Sequence, residues 1–157
     1  MRARLYLEST IPSYLVARPG QAVVAAAQQL ITHQWWAKRL KDFDVFISQV
    51  VLEEISAGDR GMARQRIELV KSFPELRLTD EVDALAKALL RRGLLPLNAA
   101  RDAAHIAVAT VHGMHFLLTW NCRHIANAEL LSKVETVCER LGYKCPVVCT
   151  PAELMGL

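Results

Sequence analysis

Three carboxylates and one amide stand in this 157-residue chain where an apolar run meets a turn or a helix start: Glu8, Glu54, Asp102 and Asn121. Glu8 closes the short apolar run that begins at Arg4. Glu54 shares a helical stripe with Val50 and Val51, whereas Glu53 lines up with Gln49 and faces solvent. Asp102 falls in the first turn of an otherwise apolar helix, where free N–H groups and the helix dipole favour a carboxylate, and His105 lies one turn further on the same face. Asn121 follows the run Leu117-Leu118-Thr119-Trp120. Oxygen ligands of this kind are hard and suit Mg²⁺ or Mn²⁺ rather than zinc. Such a cation keeps several waters and leaves room for a phosphodiester. One ion would lower the pKa of a bound water, and a second, about 3.5 to 4 Å away, would steady a leaving oxygen. Without a cation, three converging anions repel and raise one another's pKa.

The stretch from Leu117 to Asn127 passes from a buried-strand pattern into Asn121, Arg123 and His124, where a parallel strand hands over to a helix. Ligands of open α/β sheets gather at that edge. Arg123 is suited to clamp a phosphate, and His124 to touch one or to move a proton near neutral pH. Ser9 adds a hydroxyl beside Glu8. These three are the candidate substrate contacts. His105, on a buried helix, reads as structural. The plainer alternative for the four main residues is capping and hydrogen bonding, with Glu8 and Asn121 at turns, Asp102 at a helix N-terminus and Glu54 paired to an arginine.

The elements that must position these groups alternate along the chain. A strand over 4–8 precedes a helix opened by Pro12, and Arg18-Pro19-Gly20 breaks the chain before a long alanine-rich helix over 21–41. That helix carries Trp35 and Trp36, whose side chains point about 100° apart and read as packing area against different neighbours. A strand over 45–47 leads through Ser48, a plausible N-cap, into a helix over 49–56. Amphipathic helices over 62–72 and 81–92 follow, with a short strand at 76–78 and an Asp80 cap between them. Asn98 caps the apolar helix 99–112; then come a strand over 114–119, a helix over 128–141 stopped by Gly142, a strand at 146–148 and a short helix after Pro151. Strand and helix alternating from end to end predict a three-layer α/β/α sandwich with a mainly parallel central sheet, one domain over 1–157.

The chain is 52% hydrophobic and 22% charged with a net charge of +3, which excludes a long disordered tail and permits contact with a polyanion without demanding it. Charged residues interrupt every apolar run before it reaches membrane-spanning length, and no signal-peptide h-region follows Met1, so the expected location is the cytoplasm. The four cysteines, Cys122, Cys138, Cys145 and Cys149, form no C-x-x-C pair and read as reduced, mostly buried thiols.

The ordered set Tyr6-Leu7-Glu8-Ser9, Ser48 with Val51-Leu52-Glu53-Glu54-Ile55, Asp102-Ala103-Ala104-His105-Ile106-Ala107 and Leu117-Leu118-Thr119-Trp120-Asn121 resembles the motif series of PIN-domain proteins, the fold of VapC-type toxins. The resemblance spans nearly the whole chain. It implies a Mg²⁺- or Mn²⁺-dependent ribonuclease, the toxin of a toxin–antitoxin pair, with RNA as substrate, an antitoxin protein as partner and a homodimer as assembly. Glu8, Glu54 and Asp102 would hold the metal, with Asn121 at the fourth acidic position. Two positions depart from the family pattern: Glu8 stands where Asp is usual and reaches one methylene further, and Asn121, where Asp is common, adds no charge. These departures motivate the alternative of a catalytically weak or inactive PIN scaffold that binds RNA or a protein.

Overall fold

The computed structural model describes residues 1–91 and 93–156. Five strands, β1 (Ala3–Leu7), β2 (Phe43–Ser48), β3 (Glu75–Leu76), β4 (Phe116–Leu118) and β5 (Val147–Cys149), form one sheet in the order β3-β2-β1-β4-β5, and all four neighbouring pairs are parallel. A parallel sheet needs a crossover between successive strands and is covered on both faces. The central strand obeys this rule: Leu5, Tyr6 and Leu7 are all fully buried although successive side chains face opposite sides.

The crossovers supply seven α-helices among the described residues: α1 (Thr10–Val16), α2 (Val23–Arg39), α3 (Gln49–Ile55), α4 (Arg60–Val70), α5 (Asp80–Arg91), α6 (Ala100–Val111) and α7 (Ala128–Arg140). They pack in two groups, α1 with α2 and α4, and α5 with α6 and α7, so the fold is the expected three-layer α/β sandwich with an all-parallel sheet. Among the described residues no helix is long and apolar enough to cross a membrane.

Several element ends differ from the sequence expectations, at Ser48 and Asp80 because another polar group takes the bond that a cap would make. Ser48 occupies the N-cap position of α3, but its hydroxyl makes no capping bond and is taken by Tyr6 Oη at 2.8 Å. The first turn of α5 is served by Thr79 Oγ1, which accepts from Val82 N at 3.3 Å, while Asp80 is already inside the helix. Asn98 falls within a 3₁₀ turn, Leu97–Ala99, that leads into α6 without a side-chain cap. Pro12 sits in the first turn of α1 rather than at its start, and the short strand is Glu75–Leu76 rather than 76–78. Arg92, expected at the end of the helix 81–92, lies outside the described residues. The tryptophans do diverge: Trp35 is fully buried and stacks on Phe43, while half-buried Trp36 meets the edge of Phe73. The thiols are free, with Cys138 and Cys149 buried and Cys122 exposed, and burial pushes the Cys149 thiol up to about 12.

Chain order fixes where chemistry can gather. From β1 the chain runs outward to β2 and β3, then returns past β1 to add β4 and β5 on the other side. The order therefore reverses between β1 and β4, and the crevice beyond their carboxyl ends is the topological switch point where such sheets bind ligands. Glu8 follows β1 directly and Thr119 follows β4, with Glu8 N donating to Leu118 O at 3.1 Å. The preceding residue, Leu7, is the last apolar support of this edge. Leu7→Ala is expected to lower the free energy of unfolding by about 2 to 5 kcal/mol, the usual range for a fully buried aliphatic side chain, as read from urea denaturation.

Candidate metal centre

Two polar clusters occupy the switch-point edge. In the first, Glu8 is buried yet charged side chains are rarely tolerated inside without partners. Three donors converge on its Oε2: Thr10 N at 3.1 Å, Thr10 Oγ1 at 2.5 Å and Thr119 Oγ1 at 2.7 Å. Its other oxygen, Oε1, makes no hydrogen bond to the described residues. Burial pushes the Glu8 carboxyl above its ordinary range, and His105 and the Thr10 and Thr119 donors offset this only in part.

Glu54 reaches the same place from α3. Its Oε1 accepts from Ser9 Oγ at 2.7 Å and is hydrogen-bonded to His105 Nε2, which leaves Oε2 without a partner among the described residues. Burial pushes this carboxyl up as well, but the hydrogen bond and charge of His105, the Ser9 hydroxyl and the Arg101 guanidinium together outweigh it and hold Glu54 below the ordinary carboxylate range. His105 itself is fully buried on α6, with Nδ1 2.7 Å from Tyr6 Oη. Ligand atoms of Glu8, Glu54 and His105 all lie within 4.8 Å of one another, close enough to share one cation.

The second cluster is built around Asp102 and is closed on itself. Asn121 Nδ2 donates to Asp102 Oδ1 at 3.0 Å, and His124 Nδ1 lies 2.9 Å from Asp102 Oδ2. His124 N donates to Asn121 Oδ1 at 3.0 Å. Both Asp102 oxygens and the Asn121 carbonyl therefore have protein partners. Thr119 joins the clusters, because its Oγ1 accepts from Asn121 N at 2.9 Å while donating to Glu8.

Of the residues expected to act together, the structure thus unites Glu8 and Glu54 and seats Asp102 and Asn121 next door. Ser9, expected at the substrate, is bonded to Glu54. His124 is bonded to Asp102, and its Nε2 makes no hydrogen bond to the described residues. Arg123 is exposed, and its guanidinium has no hydrogen bond or ion pair among the described residues. His105, read from sequence as structural, is fully buried and hydrogen-bonded, and one of its bonds is to Glu54 of the carboxylate centre. Its spacing of three residues from Asp102 was the available signal, and the apolar surroundings on α6 masked it. Tyr6 and Thr119 entered only as members of the motif series, and Thr10 gave no signal, since hydroxyls beside a strand are common. Arg101, exposed on the first turn of α6, also escaped notice. A cavity of about 720 Å³ between the end of α7 and β5, lined by Glu139, Tyr143 and Val147 among others, includes none of these residues and is a separate groove.

Neither protein-family models nor curated proteins give a match to this chain.

The buried carboxylate has a consequence for stability. The folded pKa of Glu8 is raised from 4.5, so between that value and the raised one the folded chain holds a proton that the unfolded chain has released. The contribution of Glu8 to stability is therefore fully present below about pH 4.5 and is lost as pH rises through the folded pKa. With metal chelated, Glu8→Gln, which keeps an acceptor for the threonine donors, is expected to be more stable than wild type at pH 7 and to lose that advantage at pH 4. Urea midpoints at the two pH values check it, and equal midpoints at pH 7 would contradict the assignment.

Proposed function

We propose that this chain is a divalent-cation-dependent ribonuclease whose cation is held by Glu8 and Glu54. The observation that supports this reading most directly is the division of labour within each carboxylate. One oxygen of each carries the protein hydrogen bonds and the other has no partner among the described residues, while ligand atoms of the two carboxylates lie within 4.8 Å of each other at the sheet's switch point. Two oxygens without protein partners, backed by fixed donors, fit a hard cation such as Mg²⁺ or Mn²⁺. A cation bound there supplies Lewis-acid chemistry, activating water and offsetting charge on a phosphodiester.

The chain's own residues supply the remainder. Thr10 and Thr119 hold Glu8, and Ser9 and His105 hold Glu54, so neither ligand must reorganise when a cation arrives. Asp102 fixes His124 through Nδ1 and leaves Nε2 to contact a phosphate oxygen or pass a proton to the leaving oxygen. The exposed Arg101 and Arg123 place positive charge at the rim, suited to a polyanion. With the motif resemblance, these features extend the proposal to a PIN-like nuclease acting as the toxin of a toxin–antitoxin pair, with an antitoxin partner, a homodimeric assembly and a cytoplasmic location.

One observation favours a second reading, a weak or inactive scaffold that binds RNA. Asn121 donates to Asp102 and so occupies, as a neutral group, the place where a further cation would otherwise offset that carboxylate. Each Asp102 oxygen carries one bond, to Asn121 or to His124, and keeps a second acceptor position.

Incubation of varied RNAs with the purified chain separates the readings. Cleavage that needs Mg²⁺ or Mn²⁺ is expected. Glu54→Gln should lower it at least about 100-fold, more than is usual for a group that merely supports a ligand. Asp102→Ala should slow it as well, through the loss of His124 orientation. Mn²⁺ binding without turnover on any RNA would favour the scaffold, and absence of both cleavage and binding would sink the cation centre.

A further inference from the structure

The polar chain behind Glu54 has a direction, and that direction decides what His105 is for. Four groups are linked in sequence: Ser48 Oγ to Tyr6 Oη at 2.8 Å, Tyr6 Oη to His105 Nδ1 at 2.7 Å, and His105 Nε2 to Glu54 Oε1. Ser48, Tyr6 and His105 are all fully buried, so no solvent completes their bonding. The protons can be ordered in two ways. Running toward Glu54, Ser48 donates to Tyr6, Tyr6 donates to Nδ1, and Nε2–H donates to the carboxylate; every buried hydrogen finds an acceptor. Running the other way, with Glu54 protonated or the imidazole doubly protonated, Nδ1–H donates to Tyr6, Tyr6 donates to Ser48, and the Ser48 hydrogen is left in the interior with no acceptor, since that hydroxyl makes no other hydrogen bond among the described residues. Glu54 Oε1 also accepts from Ser9, as an ionised carboxylate oxygen does readily and a carboxylic acid hydroxyl does not. The first order is the stable one.

We infer that Tyr6 and His105 are positioning residues, a buried Ser48–Tyr6–His105 chain that holds the His105 proton on Nε2 so that the imidazole orients Glu54 Oε1 instead of binding the cation itself. The inference rests on the reading of Glu54 as a cation ligand. It goes beyond that reading by removing His105 from the ligand set, although a ring nitrogen of it is near enough to Glu8 and Glu54 to join it, and by giving Tyr6, on the central strand, a part in metal affinity. A ligand's outer partner fixes its rotamer and its basicity, and loss of such a partner typically weakens metal affinity by about 10- to 100-fold.

The test uses the full chain. Nitrogen-15 NMR of the imidazoles, without metal and at saturating Mg²⁺, is expected to show His105 protonated at Nε2 and bare at Nδ1 in both states. A proton on Nδ1, or one that leaves Nε2 when Mg²⁺ binds, would make His105 a ligand and overturn the inference. Calorimetric titration with Mn²⁺ is expected to show affinity reduced by about 10-fold or more in Tyr6→Phe, which keeps the ring and removes only the hydroxyl. Ser48→Ala should weaken it less, as the more distant member of the chain. Near-UV circular dichroism identifies variants that keep the native fold, and the NMR arm on wild type decides the proton's position even where a variant does not. Wild type that binds no Mn²⁺ would overturn the cation reading and this inference with it. Wild type that binds Mn²⁺ with an affinity unchanged in folded Tyr6→Phe would overturn the inference alone.

Discussion

The rest of this structure depends on the burial of one carboxylate, Glu8, at the end of the central strand. A charge placed there is unfavourable unless the surroundings are arranged for it. That requirement accounts for much of the local design: Thr10 turns back to its own strand end, Thr119 is delivered by β4, and His105 approaches from α6. Buried carboxylates with perturbed titration are frequent at functional sites. Each partner comes from a different element, so the fold must be complete before the carboxylate is satisfied.

The sheet makes this arrangement possible through order rather than through any single contact. Because β1 has β2 on one side and β4 on the other, residues just beyond its end meet groups from both halves of the chain. Glu54 arrives on the helix after β2, Asp102 and His105 on the helix before β4, and Asn121 on the turn after β4. Sites more than a hundred residues apart in sequence, such as Glu8 and Thr119, meet within 2.7 Å.

The parts of this plan that were legible in the sequence are those written in local pattern. The apolar runs around Leu5 and Leu117 and the nearly all-apolar segment around Ile106 give strands and a buried helix by composition alone, and the strand–helix alternation gives the layers. Glu8, Glu54, Asp102 and Asn121 stood out because a polar residue at the end of an apolar run is conspicuous. What could not be read was which polar group meets which. His105 and Asp102 share a helix face, yet one faces Glu54 and the other Asn121, a choice made by the position of α3 and not by spacing. Ser48 and Asn98 look like caps by the same local rule, and tertiary partners or a tighter turn override it.

The hydroxyl of Thr119 is shared: it gives its hydrogen to Glu8 and takes one from the backbone of Asn121. Only serine could reproduce both halves of that exchange. The length of the side chain at position 8 matters to this arrangement, because its second methylene is what delivers Oε2 to the hydroxyls of Thr10 and Thr119. A shorter acid would withdraw from both hydroxyls at once and strand them. Residues 8, 10 and 119 accordingly form a single hydrogen-bonded unit, in which loss of one member leaves the others short of a partner.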